Sequence, residues 1–166
     1  MLTLLLAAAA CTPSPRSASA PPPARIVPAA PPPVRPAADW RDWPVTPGDW
    51  HYTADARGSV AMFGQGGAEA LAVLRCDRAG GRLFLSVAGA AGGALTVRTS
   101  SVARTLPAAP TGGTPAYAAA ALTPNDPLLD ALAFSRGRFA LRLADAAPVV
   151  LPAWAEVGRV VEDCRT

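Results

Sequence analysis

The single histidine of the chain, His51, follows Asp49 by two residues and precedes Asp55 by four. Residues at even spacing point to one face of an extended strand, so the three side chains would share a surface. One imidazole and two carboxylates could bind a metal ion or exchange protons with a substrate. The same pattern is typical of a solvated strand face, and no nucleophile or oxyanion hole accompanies it. We predict no metal, no cofactor and no catalytic residue; a hydrolase or transferase assembled near His51 is the alternative to a non-enzymatic protein.

Aromatic residues give a second candidate site. Trp40, Trp43 and Trp50 are three of the four tryptophans and lie within eleven residues of one another. Indole rings can stack on sugars or contact hydrophobic peptides, but they also close the open end of a small domain. The sequence predicts a binding region at Trp40, Trp43 and Trp50, with a structural plug as the competing interpretation.

A third candidate is the run Ser135-Arg136-Gly137-Arg138. Arg136 and Arg138 could bind an anion beside a backbone turn. A helix end with a left-handed glycine stop explains the same residues without any ligand.

The number and spacing of the cysteines predict their roles in an exported protein. An odd number in an exported protein requires a role for the unpaired residue, and acylation of Cys11 would provide one. Cys76 and Cys164 lie far apart and lack the Cys-x-x-Cys spacing of zinc and redox sites, which favours a structural disulfide. Two buried free thiols are the alternative.

The composition excludes several function classes. The chain has no lysine, so Schiff-base enzymes, Ser-x-x-Lys enzymes and phosphate-loop enzymes are ruled out. Three of the fifteen basic residues precede Asp39, whereas all twelve acidic residues lie at Asp39 or later. The segment 39–166 therefore has twelve residues of each sign and is neutral. That balance, and the lack of alternating aromatic and basic residues, argues against nucleic-acid binding.

The first 38 residues predict export and tethering. Met1 to Ala10 form an apolar run shorter than the roughly 20 residues of a membrane-spanning helix, and three alanines precede Cys11 as in a bacterial lipobox. Residues 1–11 are therefore predicted to be a lipoprotein signal segment, with a plain secretory peptide or an alanine-rich start as alternatives. Residues 12–38 contain ten prolines and predict a disordered tether with a reach of up to roughly 80 Å.

Residues 39–166 predict a single β-rich domain. Alternating polarity indicates strands at 49–55, 60–63, 70–76, 82–87, 95–99 and 138–143. Residues 148–151 are a plausible seventh strand, and 117–122 fit either a strand or a helix. Capping residues predict a helix over 127–136, and a second is expected over about 155–164. The fold class is mainly β (α+β): an antiparallel β-sandwich or curved sheet of about 6–8 strands with two short helices.

Several landmarks of this domain resemble those of uncharacterised exported lipoproteins of alphaproteobacteria: Gly48-Asp49-Trp50, Leu74-Arg75-Cys76-Asp77, and the segments 129–139 and 154–165. The resemblance spans the domain, agrees with a disulfide between its two cysteines, and implies no activity. The sequence thus favours a non-enzymatic envelope protein on the periplasmic side, held by lipid to the outer rather than the inner membrane. Its expected partner is an envelope protein or peptidoglycan.

Overall fold

The computed structural model describes residues 39–89 and 91–166. Cys11 and the predicted segments 1–11 and 12–38 lie outside the described residues. The described part contains a 3-10 turn η1 (Trp40–Asp42), nine strands and two α-helices. The strands are β1 (Asp49–Asp55), β2 (Gly58–Gly64), β3 (Ala72–Asp77), β4 (Arg82–Ala88), β5 (Gly93–Arg98), β6 (Ala103–Pro110), β7 (Tyr117–Leu122), β8 (Arg138–Leu143) and β9 (Val149–Pro152). The helices are α1 (Pro127–Ala133) and α2 (Ala155–Asp163).

All nine strands belong to one antiparallel sheet in the order β1-β2-β3-β4-β7-β6-β5-β8-β9. Trp50 of β1 nevertheless packs against Phe139 of β8, with ring centroids 6.3 Å apart. In a flat sheet the seven strand spacings between β1 and β8 would separate these residues by roughly 34 Å. The sheet is therefore strongly curled around its core, and the predicted fold class, a mainly β protein with two short helices, is confirmed.

The predicted alternation explains which residues fill the core. One face of each inner strand is apolar and fully buried, and these faces meet inside the curled sheet. The set includes Leu74, Leu83, Leu85, Leu95, Val97, Phe139 and Leu141, each at most 1% exposed.

One strand was not predicted, and the ambiguous segment proved to be a strand. β6 pairs with β5 through Ala103 to Ala108 and with β7 through Ala109 and Pro110. Only Leu106 and Ala108 are buried in β6, and two prolines interrupt the pattern, so the sequence gives a weak strand signal there. Residues 117–122, which fitted strand or helix equally, form β7.

The helices begin as predicted, but the first ends earlier. The Asp126 carboxylate accepts a hydrogen bond from the Leu128 amide, and Pro127 occupies the first turn. α1 then ends at Ala133 with Phe134 as its C-cap, so Gly137, at φ 76°, belongs to the following turn and does not stop the helix. α2 buries Val157, Val160 and Val161, as expected.

The predicted disulfide is present. Cys76 on β3 bonds to Cys164 at the C-terminal cap of α2, and their Cα atoms are 5.4 Å apart. Cys76 is fully buried in the core. The bond therefore fastens the end of the last helix to the sheet.

The two edge strands approach each other at one end of the sheet. The Thr46 amide donates to the Val150 carbonyl at 2.9 Å, and the Val150 amide donates to Thr46 Oγ1 at 3.0 Å. Trp50 Nε1 then donates to the Pro152 carbonyl at 2.8 Å. No strand pairing joins β1 to β9 in the described residues, and beyond Trp50 an opening remains between them.

Candidate functional site: an aromatic groove and an arginine face

A groove of about 1050 Å³ occupies the opening beside β1. One wall is β1 from Trp50 to Thr53, and the opposite wall is formed by residues 153–156 and by α2. The end of α1, at Ala133 and Phe134, contributes a third side. Since β1 pairs only with β2 in the described sheet, its free backbone edge borders this groove, which we call the aromatic groove.

Two exposed aromatic rings line the aromatic groove. Phe134 is 78% exposed and Trp154 is 44% exposed. Each is at a helix end, where packing of the helix against the core does not require an apolar side chain: Phe134 is the C-cap of α1 and Trp154 is the N-cap of α2. Folding alone therefore does not account for the two rings.

One feature of the sequence that indicates this site is the residue type at the start of α2. Helix N-caps favour Ser, Thr, Asp and Asn, because their side chains accept a hydrogen bond from the first helical turn. Trp154 makes no such bond. A tryptophan at that position, directly before a well-formed amphipathic helix, indicates a role outside helix formation.

The polar residues of the aromatic groove carry both signs of charge. His51 and Thr53 lie on the β1 side, and Glu156, Arg159 and Glu162 lie on α2. The lining can thus donate and accept hydrogen bonds, and its charges oppose each other along one helix. Such a lining has no strong preference for a cationic or an anionic ligand.

Tyr52 and Asp163 fix α2 against β1 beneath the groove. The Tyr52 hydroxyl donates to Asp163 Oδ2 at 2.7 Å, and the Arg159 guanidinium lies 3.9 Å from the centre of the Tyr52 ring. The hydrogen bond to Asp163, with partial desolvation, raises the pKa of Tyr52 above its ordinary value. Burial raises the pKa of Asp163, but the hydrogen bond from Tyr52 and the charges of Arg159 and Arg78 outweigh it, so the net pKa is lowered.

Of the three tryptophans that are predicted to form one site, the structure separates Trp50 from Trp40 and Trp43. Trp50 is 5% exposed and packs in the core against Phe63 and Phe139. Trp40 is 8% exposed and packs against Ala140 and Val150 on the outer face of the sheet. Trp43 is half-buried beside Trp40. Trp40 and Trp50 are both buried, as the competing interpretation of a structural plug expects.

His51 is exposed at the rim of the aromatic groove. Asp49 is exposed on the same strand. Asp55 is engaged elsewhere: it accepts hydrogen bonds from Arg75, which lower its pKa, and from the amides of Arg57 and Gly58. Within the described ranges, no three His, Cys, Asp or Glu side chains are grouped to hold a metal ion.

Arg136 and Arg138 lie close to Trp40, as part of a second feature. Together with Arg41 and Ser100 they line a depression of about 350 Å³ next to the Trp40 ring. The Arg138 guanidinium donates to the Trp43 carbonyl at 3.0 Å, and the Arg136 amide donates to Ser100 Oγ at 3.0 Å. The fold thus joins residues 40–43 to residues 136–138, which are far apart in sequence.

The basic residues continue along the outer face of β5 and β8. Arg98 is paired with Ala140, so it lies diagonally between Arg138 and Arg142, which alternate with Ala140 on β8. We call Arg98, Arg136, Arg138 and Arg142 the arginine face.

No helix in the described part of the chain is long and apolar enough to cross a membrane.

Comparison of the chain with protein-family models, with curated proteins and with solved structures gave no match.

Proposed function

We propose that this protein is a non-enzymatic, lipid-anchored protein of the cell envelope whose domain binds a cell-wall glycan in the aromatic groove. The observation that carries the proposal is the pair of exposed rings, Phe134 and Trp154, on a groove that also offers polar side chains. Aromatic rings stack on the apolar faces of sugars, and polar side chains bind their hydroxyl groups.

Charge supports a glycan with little net charge as the ligand. On α2 the charge of Arg159 offsets one of the two carboxylates Glu156 and Glu162, so the groove carries only one net negative charge. A strongly charged ligand would gain little from such a lining. A volume of about 1050 Å³ is at the upper end of the range for ligand pockets, which favours a chain of sugar units over a single ring.

The export signal and the disulfide support the proposed location. Cys11 follows a short apolar segment, and lipid on this cysteine would hold the domain on the periplasmic side of the envelope, at the outer rather than the inner membrane. The bond between Cys76 and Cys164 is of the kind that persists in oxidising compartments.

A partner protein is the second candidate ligand, and one observation favours it. The free edge of β1 borders the groove, and an extended peptide can add to such an edge through main-chain hydrogen bonds. In this case, side chains of the peptide would contact the two exposed rings.

Sedimentation with purified peptidoglycan tests the glycan proposal. We expect the mature protein to sediment with it, and we expect Trp154→Ala with Phe134→Ala to weaken binding at least tenfold, since stacking on two rings is lost. Val45→Ala with Val102→Ala is the matched control, because these exposed apolar residues lie outside the groove. Equal binding by both double variants would refute the groove as the glycan site. Binding to envelope proteins but not to peptidoglycan would favour the partner protein.

A further inference from the structure

The arginine face is a surface of four arginines that lie close together without bound carboxylates. Five of the eight other described arginines pair with carboxylates: Arg41 with Asp39, Arg57 with Asp77, Arg75 with Asp55, Arg104 with Asp126 and Arg165 with Asp130. Within the described ranges, none of the four residues of the arginine face forms an ion pair. A domain with equal numbers of acidic and basic residues therefore has a positive side.

The nearby acidic residues only partly offset this charge. Asp39 and Asp42 are the acidic residues of η1 and its cap, next to Trp40. Asp39 is already bound by Arg41, whose guanidinium lies 3.4 Å from its carboxylate. Around Trp40 one further carboxylate, on Asp42, stands against Arg98, Arg136 and Arg138, so this surface has a net positive charge; Asp145 follows Arg142 after the end of β8.

The segment that precedes the domain joins it next to the arginine face. The described chain begins at Asp39, directly before Trp40, so the segment 12–38 joins the domain at the arginine face. That segment adds Arg16, Arg25 and Arg35 and no acidic residue. If Cys11 carries lipid, as proposed above, this side of the domain is the one attached most directly to the membrane.

We infer that the arginine face binds the phosphate groups of an anionic membrane surface and holds the domain against the bilayer. Guanidinium groups bind phosphate oxygens through paired hydrogen bonds, and they lose less hydration than ammonium groups do. Several arginines near an anionic leaflet add their effects, although a single one binds weakly. The depression between Arg41, Arg136 and Arg138 has room for one phosphate group.

Vesicle sedimentation tests the inference with the lipid anchor removed. The protein is the chain from residue 12 to 166, which lacks the acylated cysteine and retains both bonded cysteines and the whole described core. Vesicles contain either about one third anionic phospholipid or zwitterionic phospholipid alone. We expect binding only to the anionic vesicles, and we expect 1 M salt to abolish it, because charges are then screened within about 3 Å.

A matched pair of variants locates the binding surface. Arg136→Gln with Arg142→Gln removes two exposed charges from the arginine face, and Arg57→Gln with Arg82→Gln removes two exposed charges from the other half of the sheet. Each arginine near an anionic surface is worth roughly a fivefold change in affinity, so we expect a loss of about 25-fold in the first variant and less than about threefold in the second. Circular dichroism confirms that both variants are folded.

The inference would be overturned by no binding to anionic vesicles, by equal losses in the two double variants, or by equal binding to zwitterionic vesicles. Binding of the arginine face to soluble anionic glycan in preference to vesicles would also overturn it. The groove variant Trp154→Ala with Phe134→Ala should bind vesicles like the unmodified chain. Failure of the glycan proposal and failure of this inference are thereby distinguished.

Discussion

Tyr52 on the first strand donates a hydrogen bond of 2.7 Å to Asp163 at the end of the last helix. The two residues are 111 positions apart, and their contact lies close to the bond between Cys76 and Cys164. A polar contact and a covalent bond thus fix the same end of α2, whose other end carries Trp154. The position of the aromatic groove depends on both.

The first prediction concerns this hydrogen bond. Tyr52→Phe removes the hydroxyl and leaves the Asp163 carboxylate without its donor, so we expect the free energy of unfolding to fall by about 1 to 2 kcal/mol. Tyr117→Phe is the control, since its hydroxyl donates to the neutral carbonyl of Ala70. Urea denaturation at pH 7 measures both. If Tyr52→Phe were no more destabilising than Tyr117→Phe, the contact with Asp163 would not be an important support of α2.

The second prediction concerns the disulfide. It closes a loop of 88 positions, and the chain-entropy relation assigns such a loop about 4 to 5 kcal/mol of stability. Replacing Cys76 and Cys164 by alanine should remove most of this stability and make α2 the first element to exchange its amide hydrogens. Cys11→Ser, which alters no bonded cysteine, should leave the free energy of unfolding unchanged. Equal thermal stability of the oxidised and the substituted protein would contradict the prediction.

The third prediction concerns Gly58, at the turn between β1 and β2. Its φ is +144°, and a Cβ atom there would lie 2.5 Å from the Cys76 carbonyl oxygen, which belongs to rigid backbone. Gly58→Ala should therefore cost at least about 2 kcal/mol, through strain and displacement of β3. Gly66 has no atom within 4 Å of its Cβ position, so Gly66→Ala should be nearly neutral. Thermal denaturation of the two variants provides the comparison, and similar midpoints would show that the turn adapts without strain.

The alternating strands and the disulfide could be predicted from the sequence, because residue type and spacing indicate both. A buried strand face requires an apolar residue at every second position, as in Leu83 and Leu85, and two cysteines of an exported domain have few other partners. β6 could not be predicted on this basis. The alanines of β6 do not distinguish a buried face from an exposed one, and its prolines disfavour strand pairing. Its position in the sheet is therefore determined by pairing with β5 and β7.

The aromatic groove could not be predicted from the sequence, because tertiary packing brings its residues together. Trp40 and Trp50 are close in sequence, yet the chain passes around the sheet edge at Thr46, and the two rings reach opposite faces of the sheet. Phe134 and Trp154 are far apart in sequence, and the packing of α1 against α2 brings them to one groove. Clustering along the chain therefore indicated the contact of Trp40 with Trp43 but not the separate place of Trp50, while an unusual helix cap marked Trp154.

The fourth prediction is a pH dependence at Asp126. Hydrogen bonds from Arg104 at 2.8 and 2.7 Å lower the pKa of Asp126 below 3.8, with partial burial acting in the opposite direction. Because the pKa of Asp126 is lowered in the folded state, the stabilisation by its ionised carboxylate is fully present above the ordinary pKa of 3.8. This stabilisation is lost as the pH falls through the lowered pKa of the folded state. Acid should therefore weaken the link between β6 and the start of α1.

Asp126→Asn tests this dependence, because asparagine still caps the helix but carries no charge. We expect a loss of about 1 to 2 kcal/mol at pH 7 that becomes smaller as the pH falls below the ordinary pKa of 3.8. Asp145→Asn, at an exposed turn residue, is the control and should leave the pH profile unchanged. A constant difference between Asp126→Asn and the unmodified protein from pH 7 to pH 2 would contradict the assigned charge effect.

The last prediction separates binding aromatics from structural ones. Phe134 is largely exposed and Trp154 is about half exposed, so we expect Phe134→Ala to change the free energy of unfolding by no more than about 0.5 kcal/mol and Trp154→Ala by about 1 kcal/mol. Trp50 is 5% exposed and donates a hydrogen bond to the Pro152 carbonyl, so Trp50→Ala should cost about 3 to 5 kcal/mol. Urea denaturation of the three variants, with the glycan-binding assay on the same samples, gives both values. Marked destabilisation by Trp154→Ala would mean that its ring supports the fold, and the aromatic groove would then lose the observation on which its proposed function rests.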